Sequence, residues 1–121
     1  MNEIFDFAAK SHGAAEGSTY PDIRNMDWQP SGVDGFWIKP LLNSADGSVD
    51  TWLMKVDAGA YSASHAHDKW EQVYVIDGTL YDQERVLGAG EFAYRVPGAA
   101  HVTGSEDGAL VLLVYSVAGP A

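Results

Sequence analysis

The chain has 121 residues, no cysteine, and a formal charge of −10 that arises from seventeen acidic and seven basic side chains. Its length and apolar content suit a single globular domain with a hydrophobic core. The absence of cysteine excludes disulfides, thiolate metal sites and a cysteine nucleophile, so a bound metal must have nitrogen and oxygen ligands. The negative charge opposes binding to phosphate backbones, and we therefore expect no nucleic-acid partner.

We also expect no membrane partner and a cytoplasmic location. No apolar run approaches the roughly 20 residues that a membrane-spanning helix needs. The first residues lack the basic segment and the apolar run that together make a signal peptide.

Residues 1–26 are rich in alanine, glycine and serine and are weakly patterned, which predicts an N-terminal arm. Residues 27–121 are predicted to form the folded domain, and the signals in them are all β. Six runs predict strands, at residues 36–42, 51–56, 61–64, 71–76, 92–96 and 110–115.

The last of these runs is continuously apolar and is predicted to be buried on both faces. Asp77-Gly78 lies between two strand-like runs and predicts a hairpin turn. Short strands with turn signals about every 8–12 residues predict an all-β antiparallel sandwich or barrel. A jelly roll of about eight strands suits this length.

Three of the four histidines fall into one constellation of possible metal ligands. Side chains in a strand alternate between faces, so His65 and His67 are predicted to point the same way, with Cα atoms about 6.6 Å apart. Their imidazoles would then reach one ion at about 2.0–2.1 Å. A bend after His67 would return Glu71 to the same face, where its carboxylate would offset part of a divalent charge. The fourth candidate is His101, whereas His12 has no such neighbours.

These residues resemble the first motif of the cupin superfamily, G(X)5HXH(X)3-4E(X)6G. Every fixed position of that motif is matched here, by Gly59, His65, His67, Glu71 and Gly78.

The second cupin motif, G(X)5PXG(X)2H(X)3N, is matched less completely. Gly90, Gly98 and His101 keep its spacing, Pro97 lies one residue from the usual place, and Ser105 stands where asparagine is usual. The asparagine is not a metal ligand in the family, so the departures do not affect the expected metal site.

The resemblance implies a single-domain cupin, an antiparallel β-sandwich rolled into a jelly-roll barrel with one divalent metal ion inside. It implies that His65, His67, Glu71 and His101 are the metal ligands. Three imidazoles and one carboxylate suit iron, zinc, manganese, nickel or copper, and iron or zinc is favoured. Two alternatives stay open: that these residues bind nothing, and that Glu71 swings away without ligating.

A finer similarity lies in residues 28–30, 35–41 and 51–53, which resemble the cupin half of ChrR-type zinc-binding anti-sigma factors. They are also similar to small dioxygenases that cleave diketones and hydroxyacetophenones. This similarity implies an Fe(II)-type dioxygenase acting on a small oxygenated compound such as a diketone or a phenolic ketone. One alternative is a non-catalytic metal-bound sensor or small-ligand-binding module.

A metal-dependent lyase or isomerase is a further alternative. It is weakened by Val73, because cupin lyases for organosulfur compounds tend to have tyrosine at that position. The family resemblance also implies a homodimer. It identifies no catalytic residue beyond the metal ligands.

Several side chains are candidates for lining a ligand pocket, although aromatic residues on strands more often pack in a core. The aromatic candidates are Tyr61, Trp70, Tyr74, Tyr94 and Trp52. Strand alternation places Tyr74 on the face opposite to Glu71. An inward Arg95 would bind a substrate carboxylate or enolate, but an arginine here is more often solvated or ion-paired on the surface.

Overall fold

The computed structural model describes residues 16–119. One turn of 3-10 helix at Ile23–Asn25 precedes nine strands, and no α-helix occurs between residues 16 and 119. The strands are β1 Gln29–Pro30, β2 Phe36–Asn43, β3 Val49–Val56, β4 Tyr61–His65, β5 Trp70–Tyr81, β6 Val86–Gly88, β7 Phe92–Arg95, β8 His101–Gly104 and β9 Ala109–Ser116. No helix in this part of the chain is long and apolar enough to cross a membrane.

The six predicted strands occur as β2, β3, β4, β5, β7 and β9, and the all-β prediction is confirmed. The sequence did not predict β1, β6 and β8, which have only two to four residues and are too short to show a pattern. The division between an arm at 1–26 and a domain at 27–121 stays a prediction, and residues 1–15 lie outside the described part. Within the arm, the carbonyl of Ile23 accepts a hydrogen bond of 3.1 Å from Lys39 Nζ in β2.

The strands form one curled antiparallel sheet in two parts. The large part has the order β1-β2-β3-β9-β5-β7, and the small part contains β4, β8, the end of β5, and β6. Only β5 belongs to both parts among the described strands. It pairs with β7 from Glu71 to Tyr74, with β9 from Trp70 to Gly78, and with β6 and β8 from Thr79 to Tyr81. The result is a half-barrel of jelly-roll type whose concave face holds the core.

The predicted hairpin at Asp77-Gly78 is wrong, because β5 continues through both residues. The register against β9 shifts between Val75 and Asp77, and Gly78 has φ +76°. A bulge with a glycine at positive φ bends a strand without reversing it. The bend directs β5 out of the large part, and Thr79 N donates to the carbonyl of Gly108 at 3.1 Å.

The core lies on the concave side and is built from alternate residues of the central strands. In β9, the buried side chains are Ala109, Val111, Leu113 and Tyr115, and the residues between them are half-buried. The prediction that this strand is buried on both faces is therefore only half right. The intervening residues project from the convex side, where they are only half-buried.

Gly78 provides a stability test with a matched control in the same chain. A Cβ at Gly78 would overlap the carbonyl of Gly108 and lie 2.9 Å from Ala109 Cα, whereas a Cβ at Gly47 (φ +74°) meets no atom within 4 Å. Gly47→Ala should cost about 1 kcal/mol, because only the backbone conformation is strained. Gly78→Ala should cost roughly 2–4 kcal/mol, because a steric overlap is added. Urea denaturation of both variants measures the difference, and equal losses would contradict this account of the bend.

Candidate metal centre

The three predicted histidine ligands come together on the concave face. His65 is the last residue of β4 and pairs directly with His101, the first residue of β8. The ring centroids are 4.4 Å apart for His65 and His101, 5.0 Å for His65 and His67, and 5.7 Å for His67 and His101. One ring nitrogen from each lies within 4.8 Å of the other two. This arrangement indicates a metal site.

The prediction that both residues of the His-x-His pair lie in one strand is wrong. β4 ends at His65, and His67 lies in the irregular segment before β5. The carbonyl of His67 accepts a hydrogen bond of 2.8 Å from Gly98 N, so this segment is fastened to the loop between β7 and β8. Tertiary contacts, and not strand alternation, bring the second imidazole to the cluster.

The hydrogen bonds of the rings suit metal binding. Nδ1 of His65 is 2.8 Å from the carbonyl of Ala63, and Nδ1 of His101 is 3.2 Å from the carbonyl of Ala99. A carbonyl only accepts, so each Nδ1 carries the proton and each Nε2 keeps a free lone pair, which is the tautomer that backbone carbonyls select in metal-binding histidines.

Nε2 of His67 is the atom that most directly fits a bound cation. It is buried and has no hydrogen-bond partner. A buried polar atom without a partner is unusual and costly, and coordination of a metal ion would satisfy it. The donor set and this unpartnered atom together fit a divalent ion.

Glu71 is buried at the start of β5 and lies beside two of the three histidines. Its Oε2 is 3.4 Å from Nε2 of His67, and its Oε1 is 3.6 Å from Nε2 of His101. It is not part of the group whose ligand atoms all lie within 4.8 Å of one another, which contains the three histidines alone. Its role as a fourth ligand stays a prediction.

Arg95 points into the half-barrel, where it is paired with two carboxylates. Arg95 on β7 lies opposite Glu71 on β5, and its Nε is 3.1 Å from Oε1 of Glu71. Its Nη1 is 3.0 Å from Oδ2 of Asp82, and only 15% of the Arg95 side chain is exposed. The expectation of a surface arginine is therefore wrong, because this face of β7 covers the core. Sequence reasoning missed Asp82, since nothing in its local pattern shows that a residue after β5 reaches β7.

The surroundings of His67 and His101 favour their neutral forms. Burial lowers the pKa of His67 and of His101 below the ordinary value of 6.5, although the charge of Glu71 opposes the shift at both. Burial and the Glu71 charge raise the pKa of Tyr115 well above its usual value, so its hydroxyl remains protonated. The ring centroid of Tyr115 lies 4.9 Å from that of His67.

The histidines open into a cavity of about 370 Å³. Most of its wall is apolar, and its polar lining includes the three histidines, Glu71 and Arg95. The apolar lining residues are Val33, Phe36, Ile38, Trp52, Met54, Val73, Leu80 and Leu113.

Of the five aromatic pocket candidates, only Trp52 lines this cavity. Tyr61 and Tyr74 are 53% and 43% exposed, whereas Trp70 and Tyr94 line a separate groove on the convex side. Tyr115 lines the cavity but was missed, because it ends an apolar run that the sequence analysis treated only as core.

The sequence model of the ChrR cupin-like domain family matches residues 16–118, which is most of the chain. This chain therefore belongs to the ChrR cupin-like domain family. A search of curated proteins gave no match.

Solved structures confirm the cupin jelly-roll fold. An RmlC-like cupin from Shewanella frigidimarina has a TM-score of 0.73 and 21% identity, over 84% of this chain and 92% of that one. A Methylibium petroleiphilum protein, provisionally assigned as an acetylacetone dioxygenase, has a TM-score of 0.74 and 17% identity, over 89% and 85% of the two chains. ChrR of Rhodobacter sphaeroides, in complex with SigE, has a TM-score of 0.64 and 20% identity, over 78% of this chain and 50% of that one. At these identities the similarities establish the fold alone.

The histidine cluster predicts how metal binding depends on pH. Only the neutral imidazole binds a cation, so protons compete with the metal. Because the pKa values of His67 and His101 lie below 6.5, affinity should change little above pH 7 and fall as the pH drops below about 6. Titration of chelator-stripped protein with Zn²⁺ at pH 7.5, 6.0 and 4.5 measures this dependence. Full affinity at pH 4.5 would contradict a site built on three histidines.

Proposed function

We propose that this chain is a metal-dependent enzyme, an Fe(II)-type dioxygenase acting on a small oxygenated compound such as a diketone or a phenolic ketone. The observation that carries the proposal is the opening of the histidine cluster into an apolar cavity large enough for such a compound. The proposed metal ligands are His65, His67, His101 and Glu71. A divalent ion held by them would supply Lewis acidity toward a substrate oxygen and a template for orientation.

The surrounding side chains have definite roles in this proposal. The backbone carbonyls at Nδ1 of His65 and His101 fix the two rings in the ligating tautomer. The protonated hydroxyl of Tyr115 is a hydrogen-bond donor beside Glu71 and does not act as a base. Trp52 and Met54 form part of the apolar wall that excludes water from a bound substrate.

The charges in the cavity favour a substrate without a carboxylate of its own. Arg95 is the only lysine or arginine among the described residues that line the cavity. Its charge is already paired with Glu71 and Asp82. A substrate carboxylate would therefore find no unpaired arginine or lysine there, whereas a neutral or weakly acidic ketone requires none.

A second candidate function is a non-catalytic, metal-bound sensor of a small ligand. The family match favours it, since ChrR is an anti-sigma factor in the complex with SigE and this chain aligns with half of it. In that case the same cavity would bind a ligand without turning it over.

The identity and content of the metal test the function. Protein purified without chelators should contain about one iron per chain and consume O₂ with acetylacetone or 4-hydroxyacetophenone. His67→Ala should lose most of the metal and at least about 100-fold in rate, because a ligand is removed. Asp107→Asn, at an exposed position between β8 and β9, is the control and should behave as wild type.

Two outcomes would decide against this proposal. Stoichiometric zinc without turnover of any diketone or phenolic ketone would favour the sensor. Equal, sub-stoichiometric metal in wild type and His67→Ala would contradict the metal site itself.

We also propose that two copies of this chain pair through the convex side of the large part of the sheet. Tyr74, Ile76, Phe92 and Tyr94 project from that side and are 43%, 43%, 51% and 62% exposed. The outward side chains of residues 70–76, β7 and β9 include none with a formal charge, in a chain whose net charge is −10. Exposed apolar surface of this kind is typical of a protein interface. Because this surface carries no acidic side chain, a second copy can contact it without repulsion between acidic groups.

The oligomeric state tests this pairing. Wild type should sediment as a dimer, and Phe92→Glu should sediment as a monomer, because it would bury a charge in the contact. Val86→Glu is the matched control, since Val86 is 58% exposed on β6 in the small part of the sheet. A monomeric wild type, or an equal effect of the two substitutions, would contradict the proposed interface.

A further inference from the structure

The two carboxylate oxygens of Glu71 have different surroundings. Oε1 accepts a hydrogen bond of 3.1 Å from Nε of Arg95. Oε1 also lies 3.6 Å from Nε2 of His101, whereas Oε2 is not bonded to Arg95 and faces Nε2 of His67 at 3.4 Å. One oxygen is therefore shared between Arg95 and the histidine cluster, and the other faces the cluster without a bond to Arg95.

Arg95 is itself held in place by a fixed anion. Its Nη1 donates to Oδ2 of Asp82 at 3.0 Å. Oδ1 of Asp82 accepts from the backbone amides of Glu84 and Arg85 at 2.8 and 3.0 Å. These amides and Arg95 lower the pKa of Asp82 although burial opposes the shift, so Asp82 stays ionised.

The bend of β5 makes this chain of contacts possible. Glu71 lies near the beginning of β5, and Asp82 directly follows its last residue, Tyr81. Arg95 lies across from Glu71 on β7. A straight strand would carry Asp82 about 35 Å from Glu71, at roughly 3.3 Å per residue. Because β5 bends at Gly78, one guanidinium reaches both carboxylates.

We propose that Arg95, anchored by Asp82, is a positioning residue that engages Oε1 of Glu71 and leaves Oε2 as the single carboxylate oxygen available to a metal ion at the histidines. The inference rests on the proposed metal site and adds how its fourth ligand is controlled. A carboxylate limited to one oxygen leaves a coordination position free, which a site that must also bind a substrate requires. The planar fork of arginine suits this role, since its donors can bind two carboxylates at once in a fixed geometry.

Co²⁺ binding to chelator-stripped protein tests the inference without any assay of activity. The visible absorption of protein-bound Co²⁺ weakens as its coordination number increases. In Arg95→Met, both oxygens of Glu71 become available and a nearby positive charge is lost. We expect weaker absorption bands and a Kd lower by about tenfold.

Two further variants separate charge from positioning. Arg95→Lys keeps the positive charge but cannot reproduce the fork, so the absorption bands should change while the Kd changes little. This variant also decides the question if Arg95→Met does not fold. In Asp82→Asn the anchor of Arg95 loses its charge, and we expect the Kd to rise by about tenfold.

Matched controls exclude a general effect of changing the surface charge. Arg24→Met and Asp107→Asn remove the same charges at exposed positions away from the cluster and should leave both the bands and the Kd at wild-type values. Wild-type bands in Arg95→Met and Arg95→Lys would overturn the positioning role. An unchanged Kd in Asp82→Asn would overturn the anchoring role.

Failure of the underlying metal site has a different signature. In that case wild type and His67→Ala would bind Co²⁺ equally weakly, and both the metal site and its positioning residue would be ruled out. If wild type binds Co²⁺ stoichiometrically and the Arg95 variants show wild-type absorption bands, only the positioning role is rejected.

Discussion

The bend of β5 at Gly78 is the constraint on which the rest of the structure depends. The strand lies between β7 and β9 in its first half and then joins β6 and β8, so one continuous backbone links the two parts of the sheet. The close approach of Gly78 to Gly108 leaves no space for a side chain. A glycine is therefore required both for the positive φ and for the packing of the two segments.

The same bend explains why ionised groups can be buried beside the histidines. Removing a carboxylate or a guanidinium from water costs several kcal/mol unless each charge is paired and hydrogen-bonded. Glu71 and Asp82 share Arg95, and the backbone amides after Asp82 satisfy its second oxygen. Together Glu71, Asp82 and Arg95 carry one net negative charge, which would attract a cation bound beside them.

The positions of the ligand candidates show how much of the site could be predicted from sequence patterns. The spacing of Gly59, His65, His67, Glu71 and Gly78 was sufficient to predict the fold, and the family match and the structure confirm it. The convergence of His65, His67 and His101 was also predicted. The predicted reason was partly wrong, because His67 leaves the strand and is held by a contact with Gly98. Local periodicity describes only regular segments, so it could not show this.

The contact between Arg95 and Asp82 could not be predicted from the sequence. Strand alternation places Arg95 and Tyr94 on opposite faces of β7, but it could not show which of the two faces turns inward. Asp82 is thirteen residues from Arg95 along the chain and carries no motif. Its contact depends on the path of β5 through two parts of a sheet, which is a property of long-range pairing.

The sequence by itself determined the all-β class, the cupin family and the three histidines of the candidate site. It could do so because strand propensity, glycine turns and ligand spacing are local properties of the chain. The tertiary structure alone decided that the Asp77-Gly78 pair bends a strand instead of reversing it. It also decided that Arg95 turns inward to pair with two carboxylates and that the cavity wall is mostly apolar. These features depend on contacts between residues distant in sequence, and such contacts form only when the sheet curls.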